Sequence, residues 1–181
     1  MTKKIFYSLI LLTVICSIYR VIPDRPMGFA PQIAMALFGG SLFVNNKRWA
    51  FFLPLMSMFL SDCMYQIMYL NNMTQISGFY DGQWVNYVLF GLLTCFGFDV
   101  KINNTKSVLA GILFGPLFYF LTSNLFVWIS GGGYNRPTLI QCYIDGLPFY
   151  INSVFATMFY GMVLFGGYYL ITKKEEAFNY E

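Results

Sequence analysis

The chain has 181 residues, 57% hydrophobic, 20% aromatic and 10% charged, with a formal net charge of +3 and no histidine. A soluble domain carries roughly 25% charged residues, so this composition argues for an all-α integral membrane protein. The lysines and arginines form no basic stripe for nucleic acid, and the lack of histidine removes the commonest metal ligand and neutral-pH base, so neither cofactor nor enzyme activity is expected.

About 20 helical residues cross a bilayer core of about 30 Å. The apolar runs give six spans at 5–22, 28–45, 49–70, 84–100, 106–130 and 147–172, in a single transmembrane domain covering 1–181. The first, "MTKKIFYSLILLTVICSIYR", imitates a signal peptide, but no small-x-small cleavage site follows. Bulky Ile15 before Cys16 argues against lipidation, so it reads as an uncleaved span ending at Arg20. "PDRPMG", with Arg25, leads into the second span, which holds Gln32 near its start and Gly39 and Gly40 further on. In the third, Asp62 follows Arg48 by 14 residues, a height of about 21 Å at 1.5 Å per residue. Gln66 lies one turn beyond on the same face.

The fourth span carries Asn86, and the fifth carries the G-x-x-x-G spacing of "GILFG", then Asn124 and Trp128. The loop "SGGGYNRPTLIQCYIDG", with Tyr134 and Arg136, is longer than a turn requires and fits a lid or binding element. Asn152 lies in the sixth span, and "KKEEAFNYE" reads as a solvated tail. The four cysteines are far apart without metal spacing.

With both termini cytoplasmic, the inner segments hold eight lysines and arginines against Arg20, Arg25 and Arg136 outside, as the positive-inside rule requires. Gln32, Asp62, Gln66, Asn86, Asn124 and Asn152 then all fall in the outer half. Glycines at 39, 40, 91, 97, 111, 115, 161, 166 and 167 populate much of the inner half, where small residues let helices approach closely. A charge at the depth of Asp62 must be paired or wetted. Pairing with Arg20 or Arg25, or an outward-facing cavity, would each serve, and each amide is open either to ligand binding or to hydrogen bonding between helices. Aromatic residues near the outer interface, including Phe79, Tyr80, Trp84, Tyr87, Phe149 and Tyr150, could wall a flat solute or form an ordinary interfacial belt.

Two segments, "RVIPDRPMGFAPQIAMALFGGSLF...PLMSMFLSD" and "FYFLTSNLFVWISGGGYNRPTLIQCYIDGLPFYINSVFATMFYG", together resemble a bacterial six-span membrane family classified only as a domain of unknown function. Its pattern falls here on Arg20, Pro31, Gly39, Gly40, Ser61, Asp62, Asn124, Trp128, Tyr134, Pro148 and Asn152, with Gly28 where the family usually has asparagine. That family is similar in size and topology to the substrate-binding S components of energy-coupling factor (ECF) transporters. The resemblance implies an S-component-like bundle in the bacterial cytoplasmic (inner) membrane, taking up a vitamin-like small molecule. It also implies partners: a transmembrane T component and cytoplasmic ATPases. The A-x-x-x-A coupling motif common on the first span of S components is absent here.

The expectation is therefore a substrate-binding subunit in which Asp62, Asn124, Asn152, Asn86, Gln32, Gln66, Trp128 and Tyr134 bind the solute. Arg20, Arg25 and Arg136 would orient an anionic group. The alternative is a non-transporting scaffold or assembly subunit whose polar residues serve helix packing or partner contact.

Overall fold

The computed structural model describes residues 3–131 and 138–178, and among them there are helices and turns but no strand. The helices are α1 (Lys3–Val21), α2 (Gln32–Leu42), α3 (Lys47–Leu70), α4 (Gln83–Gly97), α5 (Thr105–Ile129), α6 (Leu139–Gly161) and α7 (Gly167–Phe178). A π-helical turn, Met162–Gly166, joins α6 to α7 without a break, giving six helical runs. Three are long and apolar enough to cross a membrane: Lys47–Leu70, Thr105–Ile129 and Leu139–Lys173. A membrane location is consistent with this.

The shortest helix occupies the centre. Every residue of α2 from Gln32 to Ser41 is buried, and α2 packs against α3, α4, α5 and α6, while α1 packs on α3. Such enclosure requires close backbone approach, which Gly39 and Gly40 supply. A Cβ on Gly39 would stand 2.9 Å from the Ala50 carbonyl of α3, and one on Gly40 would meet the Thr94 carbonyl and lie 2.7 Å from Cα of Gly97 on α4. Pro54 has no N–H to give the Ala50 carbonyl, the same oxygen that Gly39 passes. Leu37, Leu53, Met58 and Leu93 fill the space between these helices, and Phe38 meets Phe165 edge to face at 5.2 Å.

Other predicted glycines divide. Gly115 lies against Ile33 and Leu37, Gly161 against Ile112 and Gly111 against Val100, whereas Gly91, Gly166 and Gly167 face open space. The two glycines of "GILFG" thus meet different neighbours rather than one facing helix. Along α5 only Val108, Ile112, Gly115 and Pro116 are buried. Leu113, Leu117, Leu121, Leu125 and Ile129 stand exposed, an apolar outer face suited to lipid.

Two boundaries depart from the sequence expectation. The sixth run begins at Leu139 rather than 147, because Thr138 caps it by accepting the Gln141 N–H at 3.2 Å. The second is confined to 32–42. Residues 22–31 form a loop in which the Phe29 N–H bonds the Pro26 carbonyl at 3.0 Å, and Gly28 takes the left-handed φ of +83°. A Cβ on Gly28 would also lie 2.5 Å from the Phe149 carbonyl, so the loop sits directly on α6.

Candidate functional site

The last turn of α1, the middle of α3 and the first turns of α4 converge on one carboxylate. Asp62 is 1% exposed. Its Oδ1 accepts from Arg20, and its Oδ2 accepts from Gln83 Nε2 at 2.5 Å and from the Tyr87 hydroxyl at 2.7 Å. Arg20 also donates to Ser61 Oγ at 2.6 Å, lies over the Tyr65 ring at 5.8 Å, and its carbonyl accepts the Tyr65 hydroxyl at 2.8 Å. A buried ion is tolerable only with a counter-ion and full hydrogen bonding, and this carboxylate has both. The loop after α3 closes over it: Gly78 is pressed against the Asp62 carbonyl, and Gln66 Oε1 accepts from Ser77 Oγ at 3.0 Å and the Phe79 N–H at 3.3 Å.

A line of hydrogen bonds leads from this ion pair to a cavity. Gln83 Oε1 accepts from Asn86 Nδ2 at 2.9 Å, and Asn86 Oδ1 accepts the Tyr119 hydroxyl at 2.6 Å. Arg20, Asn86 and Tyr119 line a cavity of about 480 Å³, within the roughly 300–1,000 Å³ of small-molecule sites. Arg25, Gln32, Asn124 and Ser153 add polar groups, and Tyr80, Phe90, Phe120, Phe149 and Tyr150 supply ring surface. Arg25 is aimed by its bonds to the Arg20 carbonyl at 2.8 Å and the Phe29 carbonyl at 3.0 Å. Asn124 is anchored through Nδ2 to the Phe120 carbonyl at 2.8 Å, and Gly146 leaves room for it, since a Cβ there would lie 2.6 Å from its Oδ1. Tyr80 has a half-exposed ring but a hydroxyl turned toward Asn86, and burial raises its pKa above the ordinary phenol value.

Gln32 differs from these. It is 2% exposed; its Nε2 reaches Ser57 Oγ at 3.4 Å, while its Oε1 is the one fully buried side-chain polar atom among the described residues with no hydrogen-bond partner.

Of the residues anticipated from sequence, Arg20, Arg25, Gln32, Asn86 and Asn124 come together on the cavity wall. Asp62 stands behind Arg20, outside the wall, and Gln66 ties down the α3–α4 loop. Asn152 donates to the Met27 carbonyl at 2.8 Å, fixing the α1–α2 loop, while the next residue, Ser153, reaches the cavity. Trp128 is 44% exposed and contributes nothing to the wall. Tyr134 and Arg136 lie outside the described residues.

Sequence reasoning missed Gln83 and Tyr119. Gln83 reads as the end of a turn in "FYDGQ", yet it is the first residue of α4 and 4% exposed. Tyr119 reads as one aromatic among many. Its signal was a hydroxyl in mid-helix, which in an apolar setting needs a partner.

The architecture is that of an all-helical bundle, three of its helices of membrane length, around a cavity lined by aromatic rings and a few polar side chains. The chain belongs to a family of unknown function (DUF6580), whose model matches residues 1–178. No curated protein and no solved structure matches it.

Proposed function

We propose that this protein is a six-span, membrane-embedded binding subunit for uptake of a vitamin-like small molecule, held in a cavity in the outer half of the bundle. The observation that carries the reading is the cavity itself: about 480 Å³, with two arginines and three amide side chains set among aromatic rings. Amides and guanidinium groups would fix orientation while the rings supply apolar contact.

In this reading the six helical runs are six crossings of the bacterial inner membrane, with both termini cytoplasmic. The eight-to-three distribution of lysine and arginine supports that orientation, and the exposed apolar face of α5 supports contact with lipid. The second crossing is not helical throughout: α2 supplies about half of it and the 22–31 loop seated on α6 supplies the rest. The resemblance to S components drawn from the sequence is the ground for proposing a T component and ATPases as partners. The missing coupling motif on α1 favours a docking surface elsewhere on the bundle.

Native mass spectrometry of the gently extracted protein tests the proposal. A retained small-molecule mass that is lost in Asn124→Ala, with the variant still monodisperse, is the expected result. A wild-type protein without any such mass, in stable complex with another protein, would favour the scaffold role instead. The hydrogen bonds that bind Asp62, Gln66 and Asn152 to neighbouring segments are compatible with that role.

A further inference from the structure

We infer that the cavity takes a small, flat organic monoanion, such as an aromatic carboxylate, that also carries a hydrogen-bond donor remote from its charge. This rests on the reading of the cavity as a solute site and goes further by assigning the solute's chemistry.

Charge comes first. Two cations, Arg20 and Arg25, line the cavity, and Asp62 compensates Arg20. That is the one ion pair among the described residues, so no carboxylate among them lies within salt-bridge distance of Arg25. Its two bonds go to backbone carbonyls, which orient the guanidinium without cancelling its charge. A planar fork with donors to spare is the natural partner of a carboxylate. The first turn of α2 reinforces the field: no side chain caps its N-terminus, Gln32 and Ile33 of that turn line the same cavity, and free N–H groups at a helix start carry partial positive charge.

Gln32 supplies the second requirement independently. Nearly all buried polar atoms in folded proteins have a partner, yet its Oε1 has none and the residue lines the cavity. Oε1 is covered as the side chain stands, so an N–H or O–H of the occupant pairs with it once the Gln32 amide turns toward the cavity. Shape is the third. Phe90 stacks on Tyr119 at 5.4 Å with the planes 23° apart, and Phe120 on Tyr150 at 4.8 Å with the planes 30° apart. All four rings line the cavity, and such surfaces favour planar solutes over compact hydrated ions.

The test uses the full chain in lipid nanodiscs and four probes: indole-3-acetate, indole-3-acetamide, tryptamine and 1-methylindole-3-acetate. Binding is measured by isothermal titration and ligand-observed NMR. The expected result is that indole-3-acetate binds at least tenfold more tightly than its amide or amine, the scale of a charge-assisted hydrogen bond. Arg25→Gln should remove that preference, and Arg25→Lys, which keeps the charge but not the fork, should retain only part of it. Blocking the indole N–H should weaken binding to wild type but not to Gln32→Leu.

Amide or amine binding equal to that of the acid, or an acid preference that survives Arg25→Gln, overturns the inference while leaving a solute site in place. Binding unaltered in Ser123→Phe, which fills the cavity, overturns both the inference and the solute site. Failure of all four probes to bind overturns the inference, and the retained mass then decides separately whether the cavity holds a solute of another class.

Discussion

Arg20 at the end of α1 and Asp62 in the middle of α3 form an ion pair in which the aspartate side chain is 1% exposed and the arginine side chain 19% exposed. The asymmetry assigns the two partners different work. Asp62 is sealed among α3 and α4 and serves to hold Arg20, while Arg20 reaches from that seal to the cavity wall.

Removing Asp62 should therefore cost stability before it costs recognition. Asp62→Ala leaves Arg20 without its counter-ion and Gln83 and Tyr87 without their acceptor. The loss should approach the roughly 3–5 kcal/mol of a broken buried pair, reduced by the partial exposure of Arg20. Asp62→Asn should cost less, since it keeps acceptor capacity. Thermal unfolding in detergent, read by circular dichroism, measures the difference.

Gln32→Leu should behave in the opposite sense. It removes an acceptor whose unpaired burial costs about 1–3 kcal/mol and keeps an apolar side chain of related size. The empty protein should melt at the wild-type temperature or higher, while the retained small-molecule mass falls. A large destabilisation would mean that Oε1 is bonded too in the folded state, or that the long Nε2 contact to Ser57 matters more than its 3.4 Å suggests.

Gly40→Ala should be among the most damaging small substitutions in the chain. The new methyl group would collide with the Thr94 carbonyl and with Gly97, backbone atoms that move only if α2 and α4 separate. Overpacking of this kind costs about 1–3 kcal/mol or more. Gly91→Ala, on the same α4 but facing open space, is the control and should be neutral or slightly stabilising through higher helix propensity. Melting temperatures of the two variants decide the matter.

Tyr119→Phe tests the link between the ion pair and the cavity. It deletes the hydroxyl that donates to Asn86 at 2.6 Å, a loss of about 0.5–1.5 kcal/mol in stability. The Asn86 carbonyl oxygen is then left without that donor at the wall, so solute affinity should fall more than stability does. Comparing the shift in unfolding midpoint with the shift in binding constant separates the two effects.

The proposed crossings make a further prediction. In a cysteine-free background, Asn72→Cys should react with a membrane-impermeant maleimide in intact cells, and Asn103→Cys only after the membrane is opened. The reverse pattern would invert the bundle, and reaction at both positions would remove a crossing between them.

That Asp62, Asn86 and Asn124 gather in one region was legible in the sequence. A helix adds about 1.5 Å per residue, so counting from Arg48 or from the start of each apolar run gives the height of Asp62, Asn86 and Asn124. That count brings them to one end of the bundle. Azimuth was not legible in the same way. Whether Asp62 faces the cavity or stands behind Arg20 depends on how α1 and α3 rotate against each other, which the serine contacts fix: Ser17 Oγ donates to the Ser57 carbonyl at 3.0 Å. Gln83 was hidden for a related reason, because its role exists only once α4 begins at that residue and leans on α3. The length of α2 was hidden too, since "MGFAPQIAMALFGG" is apolar apart from Gln32 while its first residues form a turn set by Gly28.

That length has a consequence for the whole design. Eleven residues make a rod of only about 16 Å, roughly half the thickness of a bilayer interior. In the proposed orientation the vestibule occupies the rest of that thickness, bounded on one side by the first turn of α2 at Gln32 and Ile33 and around it by residues of the longer helices. Its floor level is therefore fixed by one structural length, and a relative that lengthened this rod by a turn would raise that floor and shrink its own chamber from beneath.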